Sequence, residues 1–204
     1  VRFVGHLDMV KTWERILRRA DLPLAYSQGF HPQPKLTFAS ALPVGCTSEA
    51  EVMDVVLCEP LEPSDMMTRL TAVLPVGLGV ASVVEVPLNA PALPTLLRWA
   101  EYSVTVETDE APQQIEAKVR AFLEAVTLPC ERRGKAYDLR PLVLSLSVES
   151  IQPPYVRLAM RLAADADVGT GRPDQVLAAL GWDSALAQIH RRRLGFKVYT
   201  LNGH

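Results

Sequence analysis

One order of elements reads twice along this chain, and it limits the choice of fold more than any single motif. In the first half, "VRFVG" reads as a short strand. Val10, Trp13, Leu17 and Ala20 then recur at helical spacing from Leu7 to Ala20. "KLTFASAL" and "EVMDVVL" are rich in strand formers, and "PVGCTS" between them suits a turn. A helix is expected over "EPSDMMTRLTAVL", with Ser64 as its N-cap, and Val76 to Val86 reads as a fourth strand. Pro87, Pro91 and Pro94 then break the chain, leaving room for a short helical piece around Leu96 to Trp99.

The second half repeats the series. "YSVTVE" is a strand, and "APQQIEAKVRAFLEAV" is a helix with proline in its first turn. "LVLSLSVESI" and "YVRLAMRLA" alternate as strands, "RPDQVLAALG" is a helix closed by Gly181, and "RRRLGFKVY" is a last strand. A βαββαβ order repeated twice predicts an α+β protein of two tandem ferredoxin-like domains. Residues 1–88 would form the first, 89–101 a proline-rich linker, and 102–204 the second.

The length of 204 residues suits two such domains. No apolar run approaches the ~20 residues of a membrane span, and no secretory signal opens the chain. Cys46, Cys58 and Cys130 are odd in number and far apart. That argues against a disulfide framework or a zinc site, and fits a cytoplasmic protein. The chain contains no GxGxxG, no Walker loop, no HExxH, no GxSxG and no CxxxCxxC triplet. Neither a cofactor nor a metal is therefore expected, and a binding role is favoured over an enzyme.

The net charge of −2 hides a division. Residues 1–48 carry six Lys/Arg against three Asp/Glu, residues 49–110 two against eleven, and residues 131–204 eleven against seven. An anionic partner would meet the ends of the sequence and avoid its middle. On the first helix Lys11, Arg15 and Arg18 fall at i, i+4 and i+7, opposite the Trp13/Leu17 stripe, with Arg19 flanking. Glu14 is spaced to pair with Arg18.

The loop that follows gathers Tyr26, Gln28, Phe30, His31, Gln33 and Lys35, stiffened by Pro32 and Pro34 and bent at Gly29. Aromatic rings stack on unpaired bases, and Lys and Arg neutralise phosphates. The competing reading is a proline-rich connector with Phe30 buried. His6 and Asp8 stand at the start of the first helix. Asp8 fits a cap or a dipole partner, while His6 could work as an acid or base. In the second half, Arg132, Arg133, Lys135 and Arg140 surround a turn in which Asp138 could pair with Arg140. His190, Arg191, Arg192, Arg193 and Lys197 form a second basic run.

"FVGHLDMVKTWERILRRADLPLAYSQGFHPQPKLTFASALPVGCTSEAEVMDVVL" closely resembles the N-terminal part of the radical-SAM-linked protein family, a bacterial domain of unknown function. The likeness rests on His6, Leu7, Asp8, Arg15, Arg18, Arg19, Tyr26, Ser27, Gln28, Gly29, Phe30, Pro32, Pro34, Lys35, Gly45, Ser48 and Glu49. It extends more weakly to Lys135, Asp138 and Arg140, and Gly5 stands where the family pattern has serine. The resemblance implies a protein encoded beside, or fused to, a cobalamin-type radical SAM protein, in a setting of RNA metabolism.

Together these readings predict a non-catalytic RNA-binding partner of a radical SAM enzyme. Lys11, Arg15, Arg18, Arg19 and Lys35 would meet phosphate, Tyr26 and Phe30 bases, and Gln28 and His31 hydrogen-bonding edges, with Lys135 and Arg140 as a second contact. Two alternatives stand beside it. One is a metal-independent endoribonuclease, distantly like the CRISPR repeat-processing enzymes, using His6, His31 and Tyr26 as acid and base. The other is an adaptor that docks the radical SAM protein and touches no RNA.

Overall fold

The computed structural model describes residues 2–132 and 134–198. The chain is mixed α+β and divides into two compact units. Described residues of Val1–Val44 and Val52–Pro94 form one, and those of Gly45–Glu51 and Thr95–Tyr199 the other.

The first unit begins with α1 (His6–Arg19). Gly5 is its N-cap and gives no side-chain cap, so Asp8 in the first turn and Arg18 and Arg19 in the last complement the helix dipole instead. After β1 (Leu36–Phe38) the chain forms β2 (Cys46–Ser48), which belongs to the other unit. It then returns as β3 (Met53–Val55), antiparallel to β1 with Thr37 opposite Asp54. Helix α2 (Pro63–Thr71) starts one residue before the expected Ser64 cap. Glu62 is the N-cap and Pro63 takes the first turn, where its fixed φ costs nothing. Ile16, Leu17 and Ala20 of α1, Leu22, Leu24, and Leu70 of α2 form the buried core.

Two strands expected here are absent among the described residues. Arg2 and Phe3 lie in a turn, and Val1 lies outside the described residues. Residues 79–87 carry no assigned strand; Val80 and Val83 pack on the core while Val84 and Val86 stay exposed. Their β-branched side chains find a surface to pack on, but no neighbouring backbone completes a ladder, and strand propensity follows context. The tandem expectation is therefore not met in this unit. "PVGCTS" is also no hairpin turn, because its Cys46–Ser48 pairs in the other unit's sheet.

In the second unit the βαββαβ order is present. After a single helical turn, α3 (Leu93–Leu96), come β4 (Leu97–Glu107) and α4 (Pro112–Glu124). A small antiparallel hairpin of β5 (Pro129–Arg132) and β6 (Lys135–Asp138) follows. Next are β7 (Val143–Gln152), β8 (Tyr155–Asp165), the two-residue β9 (Gly169–Thr170), α5 (Pro173–Ala179) and β10 (Gln188–Phe196). Strand order is β2-β10-β4-β8-β7, with β9 added to β8. All main ladders are antiparallel except β2 on β10.

Alternation along β4 and β8 buries Tyr102, Val104, Val106, Val156, Leu158, Met160 and Leu162 on one face. Pro112 and Pro173 open their helices, and the Gln114 side chain accepts from the Ala111 N–H (3.0 Å). Gly181, at φ +80°, ends α5. The strand expected over "YSVTVE" starts earlier, at Leu97, so residues 97–99 are strand where a short helical piece was expected. Tyr199 of the last strand and Arg133 of the basic turn lie outside the described residues.

Candidate nucleic-acid interface

The loop after α1 is built as a closed ring. Ser27 N–H donates to Gln33 O (2.9 Å), and Gln33 N–H donates to Ser27 Oγ (3.0 Å). Tyr26 bridges Pro34, and Lys35 N–H donates to Ala25 O (2.8 Å). Ala25 N–H and Val56 N–H tie the base of the ring to the strand that continues β3 (2.9 and 3.0 Å). Gly29 sits at φ +130°, which a side chain would strain, so the bend depends on that residue. Pro34 is buried and anchors the loop, while Gln28, His31, Pro32 and Gln33 are exposed.

Phe30 is fully exposed on this loop. The connector reading required it to be buried, so that reading fails. Its ring is held in water on a braced loop, where a partner can reach it. Tyr26 is 39% exposed and carries the Arg18 guanidinium over its ring, 5.9 Å from the centroid. Arg18 is thus brought to the loop, joining the basic helix face to the aromatic platform.

Lys11, Arg15, Arg18, Arg19 and Lys35 are all exposed. Among the described residues no carboxylate forms an ion pair with any of them, and the Glu14–Arg18 pair that the spacing permits does not form. His6 packs edge-on against Phe38, with ring centroids 5.6 Å apart. Among the described residues no hydrogen bond joins His6, His31 and Tyr26, the three residues of the nuclease reading.

The basic residues of the second unit sit differently. Arg140 donates to Val143 O (3.0 Å) and Leu123 O (3.2 Å). Asp138, instead of pairing with that guanidinium, accepts from the Leu128 and Arg140 N–H groups (2.7 and 3.0 Å). Lys135 is exposed on β6. Arg191 is 2% exposed; its Nη1 donates to both Glu51 oxygens (3.0 and 3.1 Å) and its Nε to the Tyr102 hydroxyl (3.3 Å). Arg192 and His190 share Glu49 (3.7 and 3.5 Å), and His190 Nδ1 lies 2.8 Å from Thr47 Oγ1. Arg193 shares Glu101 with Arg161 (3.8 and 2.9 Å). The second basic run is largely a set of ion pairs across the sheet.

Sequence reasoning missed two constellations here. The Trp99 indole lies over Gly195, where a Cβ would come within 1.9 Å of the ring, and Arg161 stacks on Trp99 at 4.4 Å. A glycine inside the last strand was the available signal. Glu110 accepts from Lys118 (2.6 Å) and from Trp182 Nε1 (3.0 Å), linking the start of α4 to the end of α5. The Lys118 hydrogen bond, more than the Trp182 one, holds the Glu110 carboxyl below its ordinary pKa against the opposing effect of burial. No periodicity announces that link.

Among the described residues no group of three His, Cys, Asp or Glu side chains is placed to hold a metal ion. No helix among them is long and apolar enough to cross a membrane.

Comparison with solved structures finds a likeness of fold. A chain in a crystal structure of a Cbf5–Nop10–Gar1 complex aligns with a TM-score of 0.54 and 12% identity, over 96% of this chain and 47% of that one. A chain in a structure of an H/ACA ribonucleoprotein bound to a substrate RNA containing 2′-deoxyuridine aligns at 0.45 and 13% identity, over 90% and 41%. The chain thus spans less than half the length of these solved chains. No curated protein matches it. A family profile does match, over residues 1–175, and by that match the chain belongs to DUF2344, a family of uncharacterized proteins conserved in bacteria.

Proposed function

We propose that this protein is a non-catalytic RNA-binding partner, and that its first unit makes the contact. The observation that carries the proposal is the exposed Phe30 on a hydrogen-bonded ring beside a row of cations with no carboxylate partner among the described residues. Phosphates would meet Lys11, Arg15, Arg18, Arg19 and Lys35, while Gln28 and His31 face the edges of bases. The solved Cbf5–Nop10–Gar1 complex bears on this only through the fold. Lys135 extends the proposal to the second unit, where Arg140 already donates to backbone carbonyls.

The radical SAM protein implied by the family resemblance is part of the same proposal, as the enzyme to which RNA would be presented. Co-purification of that enzyme with the tagged protein, before and after nuclease treatment, tests this part alone.

The test of RNA binding is a salt series with labelled total small RNA and the purified protein. The proposal expects affinity to fall steeply and linearly in log–log form as salt rises, because bound phosphates release counterions. Arg18→Ala with Lys35→Ala weakens binding and flattens the slope. Absence of binding at low salt, or an unchanged slope in the double variant, rejects the assignment.

A further inference from the structure

Resting on the RNA-binding reading, we infer that this site takes a single-stranded segment of RNA, with Phe30 as the ring on which an unpaired base stacks and Tyr26 as the residue that positions Arg18. The two aromatic residues are not equivalent. One face of Tyr26 is occupied by the Arg18 guanidinium at 5.9 Å, and the residue is only 39% exposed. Phe30 has no ring or cation partner among the described residues and is wholly open. Phe30 is therefore the more open of the two rings, while Tyr26 has one face taken by Arg18.

That geometry selects between nucleic-acid forms. In a duplex the bases are stacked on each other, and the A-form major groove is too narrow for side chains to read. A flat ring projecting from a braced loop therefore has nothing to stack on along a helix, while a loop, bulge or tail offers splayed bases. The cations fit the same ligand. Lys11 and Arg15, and then Arg15 and Arg18, rise about 6 and about 4.5 Å along the helix axis. Such a row can follow the phosphates of one strand.

Pre-organisation supports the assignment as well. The reciprocal Ser27–Gln33 hydrogen bonds, the Tyr26–Pro34 bridge and the buried Pro34 fix the loop before any ligand arrives. Little ordering then remains to be done on binding.

The experiment compares a labelled oligouridine with a labelled blunt-ended RNA duplex of equal length, measured by anisotropy against the wild-type protein and the Phe30→Ala, Phe30→Trp and Arg18→Ala/Lys35→Ala variants. Phe30→Ala is expected to weaken oligouridine binding by about 5- to 150-fold with an unchanged salt slope, and to leave duplex binding unaffected. Phe30→Trp restores the affinity. Thermal unfolding of Phe30→Ala and Phe30→Trp matches the wild type, because the Phe30 side chain is fully exposed. If Phe30→Ala binds oligouridine as the wild type does, while the double charge variant still loses affinity, the stacking inference is overturned and RNA binding stands. If the wild type binds neither RNA at low salt, both fall, and the surface is left to a protein partner.

Discussion

In the second unit four arginines of β8 and β10 lie beside carboxylates: Arg161 and Arg193 against Glu101, Arg192 against Glu49, and the buried Arg191 against Glu51. In the first unit Lys11, Arg15, Arg18, Arg19 and Lys35 lie beside none among the described residues, although residues 49–110 are the acidic part of the sequence. Both regions read as basic clusters in one dimension. The sheet supplies the difference, because its register sets Arg161 of β8 opposite Glu101 and brings β2, with Glu49 and Glu51 after it, alongside β10. A basic run on a strand can thus be neutralised by its neighbours, whereas a basic stripe on an exposed helix face keeps its field for a ligand.

The contrast should break first at Arg191. Arg191→Ala strands Glu51 and leaves the Tyr102 hydroxyl without its donor, so it should destabilise the protein by about 3 kcal/mol in a denaturant titration. The exposed pairs of the same sheet are worth far less, and an equally severe effect from breaking one of them would contradict the distinction between buried and surface pairs. Next in size is the effect of Arg18→Ala with Lys35→Ala. It should cost no more than about 1 kcal/mol of stability, for the lost Arg18–Tyr26 contact, and reduce the slope of log affinity against log salt by on the order of 2, one for each phosphate that is no longer neutralised.

Ser27→Ala removes the acceptor of the Gln33 N–H. A cost of about 1 kcal/mol, confined to the loop, should appear as faster amide exchange at Gln33 and a weaker contribution from Phe30. The smallest effect belongs to Glu110. Its folded pKa lies below the ordinary 4.5, so its contribution is present above that value and is lost as pH falls through the lower folded pKa. Glu110→Gln should flatten the acid limb of stability against pH below about 4.5, and near neutrality should lower stability by an amount that does not vary with pH, for the weakened Lys118 bond.

How much of this was legible in the sequence depends on range. Helices α2, α4 and α5 announce themselves through Pro63, Pro112 and Pro173, and β7 and β8 through alternation, because these signals are local. The three-residue β2 escaped. Its ladder joins Cys46 to Ile189, and no pattern within "PVGCTS" encodes a partner so far along the chain. Residues 76–86 misled for the opposite reason: they have strand composition, yet composition does not supply a ladder. On the candidate site, the residues were readable as a group, but three facts were not. These are the exposure of Phe30, the Arg18–Tyr26 contact, and the capture of the β10 arginines by Glu49, Glu51 and Glu101. Each depends on chain segments that meet only after folding.

The most direct test sets the two basic regions against each other in one titration. Affinity for a labelled single-stranded RNA is measured across a salt series for the wild type, for Lys11→Ala/Arg15→Ala/Arg18→Ala, and for Arg192→Ala/Arg193→Ala. The helix triple variant should bind more weakly with a flattened slope, while the strand double variant should keep both affinity and slope. A flattened slope in the strand variant with an unaltered helix variant would contradict the account.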